Sequence, residues 1–274
     1  MTVLVTGAKG NVGRHVVKEL LSGGHRVRAL TRDPAGAGAV LPDGVEVATG
    51  DLAVPDSLAP ALEGVTALHL ITFDGGDGAP LRTGPRIARL AAKAGVRRVT
   101  VLWGGEPGPV EEAVAAEGLP WTVLQPQEFM SNALAWTGSI RTEGVVREPF
   151  GATRSAMIHE ADIGAVAART LTEDGHVGEK YMLTGPEVMD MPQKLAVLGE
   201  VLGRDIRFVE LTEQQARERM RREGASQEAI DHVIGWYAAP PGEAYTVTPT
   251  VERILGRPPR TFAQWARENA EAFR

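Results

Sequence analysis

The stretch Gly7-Ala8-Lys9-Gly10-Asn11-Val12-Gly13 restricts the fold of this chain more than any other. It follows the apolar run Val3-Leu4-Val5 directly and opens an amphipathic helical pattern from Val12 to Leu21, closed by Ser22-Gly23-Gly24. A short apolar run suits a strand covered on both faces, and glycine suits a helix C-terminus. In such a strand–turn–helix the first glycine permits the tight turn and the second lets backbone approach a pyrophosphate. The third allows the helix to pack closely on the strand, and the helix N-terminus then offers free N–H groups and partial positive charge to phosphates. A glycine turn with a structural purpose alone is the alternative; the position between strand and helix favours the phosphate reading.

The rest of the first half keeps the same rhythm. Strands are predicted over residues 25–30, 45–48, 67–71, 99–102 and 121–124, and helices over 57–62, 87–94 and 111–117. Parallel connections need crossover helices, so the alternation predicts an α/β fold with a doubly wound parallel sheet in residues 1–126. Past Pro126 the pattern changes to helices over 161–171 and 193–202 and strands over 180–183 and 206–210. Thr212 with Gln215, and Thr261 with Gln264, have capping-box spacing at two further helix starts. Residues 127–274 therefore read as a small helix-rich C-terminal lobe, packed on the sheet domain and partly interleaved with it.

Composition removes several rival chemistries. The 274 residues include no cysteine, which excludes disulfides, thiolate nucleophiles and cysteine-ligated metals and fits a reducing compartment. A net charge of −6 gives no global positive field for nucleic acid or an anionic membrane. No signal peptide and no apolar run near the ~20 residues of a membrane helix is seen. The expectation is a cytoplasmic protein with no membrane or nucleic-acid partner; oligomeric state is not legible. His159-Glu160-Ala161-Asp162 lacks the second histidine of a zinc helix, so no metal is expected, and Asp162 reads as a helix cap.

At the end of the second strand, Thr31-Arg32-Asp33 places a guanidinium where an adenosine ribose would lie. Arg32 facing it would accept a 2′-phosphate and select NADP, whereas Asp33 facing it would favour the free hydroxyl of NAD. Lys9 either adds a phosphate contact or points to water. The G-x-x-G-x-x-G spacing resembles that of the extended and atypical short-chain dehydrogenase/reductases. That resemblance implies an adenine contact at Asp51 and Leu52, after the third strand, and backbone beside the nicotinamide ribose at Ile71, Thr72 and Phe73, after the fourth.

The second half sharpens it. Leu119-Pro120-Trp121-Thr122-Val123-Leu124-Gln125-Pro126-Gln127-Glu128-Phe129-Met130-Ser131-Asn132 resembles a signature stretch of NmrA-like proteins. Ile158 to Gly164, Gly178 to Glu187 and Leu255 to Phe262 are similar to further segments of that family, in the same order. The resemblance implies an NAD(P)-binding Rossmann domain with a C-terminal substrate lobe. The family spans quinone oxidoreductases, reductases, tailoring enzymes of secondary metabolism and cofactor-binding regulators that catalyse nothing, so fold leaves function open.

Short-chain dehydrogenases typically carry Tyr-x-x-x-Lys after the fifth strand. Here that segment runs from Trp103 to Val114 with neither residue, and the chain's three tyrosines, Tyr181, Tyr237 and Tyr245, all lie later. Alcohol–ketone interconversion by a tyrosine acid is thus disfavoured. A quinone needs little acid assistance, because its reduced oxygen is a stabilised phenolate; otherwise another group moves the proton, with Glu111 and His159 as candidates. Trp103, Gln125, Glu128, Phe129, Met130 and Asn132 are expected to line the crevice past the strand ends. The leading expectation is an NAD(P)H-dependent oxidoreductase acting on a quinone or extended aromatic, with NADP as cofactor and NAD as the alternative. A non-catalytic NAD(P)-binding redox sensor and an oxygenating enzyme of aromatic polyketide tailoring stay open.

Overall fold

The structure is a computed structural model that describes residues 1–36, 40–73, 80–102 and 108–274. In chain order its elements are β1 (Thr2–Val5), α1 (Gly13–Ser22), β2 (Arg26–Thr31), β3 (Glu46–Thr49), α2 (Ala59–Leu62), β4 (Ala67–Ile71), α3 (Gly84–Lys93), β5 (Arg98–Leu102), α4 (Pro109–Ala116) and β6 (Trp121–Pro126). There follow α5 (Thr137–Glu143), β7 (Val145–Pro149), α6 (Glu160–Thr172), β8 (Lys180–Leu183), α7 (Met191–Leu202), β9 (Arg207–Leu211), α8 (Glu213–Arg222), α9 (Gln227–Ala238), α10 (Thr250–Leu255) and α11 (Phe262–Glu268).

The chain divides into two compact units, residues 1–126, 160–183 and 250–257 in one and 127–159, 184–249 and 258–274 in the other. The first holds a seven-stranded sheet in the order β3-β2-β1-β4-β5-β6-β8, every neighbouring pair parallel. Strand order reverses between β1 and β4, so right-handed crossovers lead away from that junction in both directions. Helix α1 packs on α6, and α3 packs on α4. The α1–α6 approach is backbone-close: a Cβ at Gly164 would lie 2.5 Å from the Cβ of His15. Every residue of β4, Ala67 to Ile71, is buried, as a central strand covered on both faces requires.

Inside that sheet lies a polar residue that the apolar pattern conceals. His69, fully buried on β4, meets the Thr100 hydroxyl on β5 through Nδ1 at 2.7 Å, and its Nε2 has no hydrogen-bond partner. Burial lowers its pKa from 6.5 to about 4, so the ring is neutral at physiological pH.

The second unit pairs β7 with β9 in parallel, Val145 opposite Arg207 through Pro149 opposite Leu211. Its core gathers Met130, Trp136, Ile140, Leu195, Leu198, Phe262, Trp265 and Phe273, with Phe262 stacked on Trp265 at 5.5 Å. Both sequence-predicted capping boxes are present, at Thr212 and Thr261. Elements α5, β7, α9 and α10 go beyond the sequence reading, and β8 is the seventh strand of the main sheet. Among the described residues, no helix is long and apolar enough to cross a membrane.

Candidate functional site

The glycine turn is anchored by its neighbours. The Thr6 hydroxyl donates to the His69 carbonyl at 3.0 Å and accepts the Ile71 N–H at 3.0 Å, which fixes the exit of β1 against β4. Gly7 then turns with φ +61°, a left-handed conformation that suits glycine, and its carbonyl accepts the Gly10 N–H at 2.9 Å. A Cβ at Gly13 would fall 2.0 Å from the Gly7 carbonyl oxygen, so only glycine lets α1 start this close to the turn. Helix α1 begins with no side-chain cap and no acidic residue in its first turn. Its positive end is therefore left to an anion. Lys9, Gly10 and Asn11 are exposed around it, whereas Val12 is buried and offers only backbone.

At the end of β2 the geometry separates the two charged neighbours. The Asp33 carboxylate accepts the N–H groups of Ala35 and Gly36 at 3.1 and 3.3 Å and so closes its own turn. Arg32 is exposed and makes no hydrogen bond or ion pair among the described residues. After β3, Asp51 is half-buried and uses one carboxylate oxygen on the Ala53 N–H at 2.9 Å, and the buried Leu52 gives its carbonyl to the Thr83 hydroxyl at 2.6 Å. After β4, Ile71 is buried, with its side chain 3.2 Å from a Cβ built on Gly7. Thr72 donates its hydroxyl to the Leu102 carbonyl at 3.1 Å, and Phe73 forms a bridge with Pro80. A cradle built for glycine, an uncapped helix start and an unengaged guanidinium together fit a dinucleotide phosphate.

Not every expected residue is placed for chemistry. Trp103 lies outside the described residues. His159 is buried, with Nε2 3.1 Å from the Glu268 carboxylate, and this contact ties it to α11 rather than presenting it to a ligand. Asp162, fully buried, pairs with Arg257 at 2.7 Å, a role beyond that of a helix cap. Met130 is part of the apolar core, so it does not line a crevice through its side chain. Gln125 and Phe129 are half-buried and Asn132 is exposed.

Glu128 also departs from the expected pocket-lining role. Its carboxylate accepts from Lys194 Nζ at 2.9 Å, from Tyr237 Oη at 2.8 Å and from Ser155 Oγ, while Lys194 also donates to Ser155 at 2.9 Å. Lys194 is 2 % exposed and Glu128 5 %, so a charge pair is held in the interior with its hydrogen bonds satisfied. Burial, then the Glu128 charge, pushes the Tyr237 hydroxyl well above its usual pKa, which keeps it a donor. The partners of Glu128 are far apart in sequence. The one legible signal was Lys194 on the apolar stripe of α7, between Met191, Leu195 and Leu198.

Similarity to known proteins agrees with this geometry. A family model described as NAD(P)H-binding matches residues 7–105. The (4-alkanoyl-5-oxo-2,5-dihydrofuran-3-yl)methyl phosphate reductase of Streptomyces griseus is 38% identical, over 99% of each chain. The chain belongs to the NmrA-like family of atypical short-chain dehydrogenase/reductases. Within that family, the NAD(P)H azoreductase of Xenophilus azovorans is 34% identical over 99% of each chain. The NADPH-dependent quinone oxidoreductase of Escherichia coli, solved with NADPH, superimposes with a TM-score of 0.82 at 25% identity, covering 97% of this chain and 99% of the other. This NmrA-like chain is an NAD(P)H-binding oxidoreductase.

Proposed function

We propose that the chain uses NADPH to reduce an electron-poor conjugated acceptor, a quinone or another extended aromatic. The observation that carries this reading is the phosphate cradle closed by Gly13 in a chain with no tyrosine before Tyr181. Bound NADPH supplies the hydride. The backbone of Gly10 to Gly13 and the start of α1 would hold the pyrophosphate, Asp51 the adenine amine, and the Ile71–Phe73 backbone the nicotinamide ribose. Arg32 would take the 2′-phosphate, since Asp33 is engaged in its own turn.

Hydride addition to a conjugated acceptor places the new negative charge on a delocalised oxygen or nitrogen, which removes most of the need for a strong acid. The oxo-dihydrofuran, azo and quinone groups in the relatives' names share that chemistry and support the reading. We place the reaction in a reducing cytoplasm, in keeping with a chain without cysteine. Anaerobic mixing of protein, NADPH or NADH, and a quinone, an azo dye or a conjugated lactone tests it. The expected result is loss of nicotinamide absorbance matched mole for mole by acceptor, faster with NADPH. Consumption at the protein-free rate with every acceptor refutes it.

A further inference from the structure

We infer that Arg82 is a cofactor-binding residue that holds the pyrophosphate from the side opposite α1, an assignment that rests on the cofactor placement proposed above. Three observations carry it. First, short bonds pin the residues on either side of it to the rim of the cradle. Before it, the Leu81 N–H donates to the Thr72 carbonyl at 2.8 Å, and the Leu81 side chain is buried. After it, the Thr83 hydroxyl donates to the Leu52 carbonyl at 2.6 Å. Thr72 belongs to the stretch set beside the nicotinamide ribose, and Leu52 follows the Asp51 set beside the adenine. In a dinucleotide the pyrophosphate joins those two halves, so the Arg82 backbone is fixed level with it. The glycine turn is close by, since the side chain of Ile71, next to Thr72, lies 3.2 Å from a Cβ built on Gly7.

Second, the approach is from the other layer of helices. Helix α1 packs on α6, whereas α3, which Arg82 precedes, packs on α4. The α1 start offers backbone N–H groups to one side of a pyrophosphate, and a guanidinium on the other side would complete the neutralisation of its charge.

Third, the guanidinium is uncommitted, whereas the charged groups around it are engaged. Arg82 is exposed and makes no hydrogen bond or ion pair among the described residues. One turn into α3, Arg86 is held by Asp56 at 2.6 Å. The start of α4 abuts that of α3, since a Cβ at Gly84 would lie 2.8 Å from the Val110 Cα, and there Glu111 is spent on its own helix cap, accepting the Gly108 N–H at 3.2 Å. An arginine between two anchored residues gives up little backbone freedom on binding, and its planar fork suits a pair of phosphate oxygens.

The test is calorimetric titration of the full-length protein with NADPH and with NADH, beside thermal melting without cofactor. Both cofactors carry the pyrophosphate, and only NADPH carries the 2′-phosphate. Arg82→Gln should weaken both by the same factor, about 10-fold or more, as loss of a hydrogen bond to a charged group implies. Arg82→Lys keeps the charge without the plane of the guanidinium and should regain most of that loss. Because Arg82 has no partner among the described residues, the cofactor-free variants should melt with wild type. No loss in Arg82→Gln makes the residue a solvated charge, a loss confined to NADPH makes it a 2′-phosphate ligand, and a lysine as poor as glutamine makes it a stacking partner of the adenine; each overturns the assignment. A loss that comes with a lower cofactor-free melting temperature makes the role structural and overturns it too. Wild type that binds neither cofactor overturns the placement itself and the reading on which the assignment rests.

Discussion

Replacing His69 with leucine, a side chain of similar size, isolates the energetic consequence of a neutral imidazole locked in the sheet. A native pKa of about 4 against 6.5 in the unfolded chain means that between those pH values only the unfolded state binds the proton. Stability is fully present above pH 6.5 and falls as pH drops toward 4, where the native ring is also protonated. At 1.36 kcal/mol per pH unit, that interval amounts to about 3 kcal/mol. Leucine leaves the Thr100 hydroxyl without its partner, a pH-independent offset of about 1–3 kcal/mol. The informative quantity is therefore the slope. Urea unfolding at several pH values from 7 to 4 should show the wild-type advantage shrinking by about 3 kcal/mol relative to His69→Leu. Parallel stability curves for the two proteins would refute the assignment of a buried, neutral His69.

The cofactor cradle and the buried charge pair make further predictions. Gly13→Ala forces a Cβ to within 2.0 Å of the Gly7 carbonyl, an overpacking that costs about 1–3 kcal/mol, so calorimetric titration should show NADPH binding weakened by about 10-fold or more. Arg32→Gln removes one charge-assisted contact worth about 1.5–3 kcal/mol, so NADPH affinity should fall by about 10- to 100-fold while NADH affinity stays level. Lys194→Met leaves the Glu128 charge buried beside Tyr237 and should lower unfolding stability by about 3–5 kcal/mol. Adding Glu128→Gln to that variant should recover part of the loss; no recovery in urea unfolding would show that the pair is not coupled.

Much of the sheet was legible because local pattern and global fold agree. Val3 to Val5, Ala67 to Ile71 and Lys180 to Leu183 are strands flanked by turn residues, and the capping hydroxyls of Thr212 and Thr261 mark helix starts directly. The phosphate turn was legible for the same reason, since its glycines meet a local steric demand. Other features depend on contacts across long sequence separations. Strand β7 needs β9 as its partner, and Val145-Val146 followed by Arg147-Glu148-Pro149 is too short an apolar run to announce it. The environment of Glu128 is made by Ser155, Lys194 and Tyr237, and that of His159 by Glu268; neither set shares a motif. Arg32 and Asp33 are ambiguous in sequence, because the turn that engages the Asp33 carboxylate is made by backbone N–H groups that no residue pattern announces.

The most direct test of the account is a single-turnover measurement under anaerobic conditions. Protein loaded with NADPH, either ordinary or deuterated at the transferred position, is mixed with excess naphthoquinone, and the nicotinamide absorbance is followed. The account predicts one oxidation event per bound cofactor, slowed by deuterium and reduced in amplitude in Gly13→Ala at limiting NADPH, in step with its weaker loading. Tight NADPH binding with no oxidation by naphthoquinone, an azo dye or a conjugated lactone would contradict it.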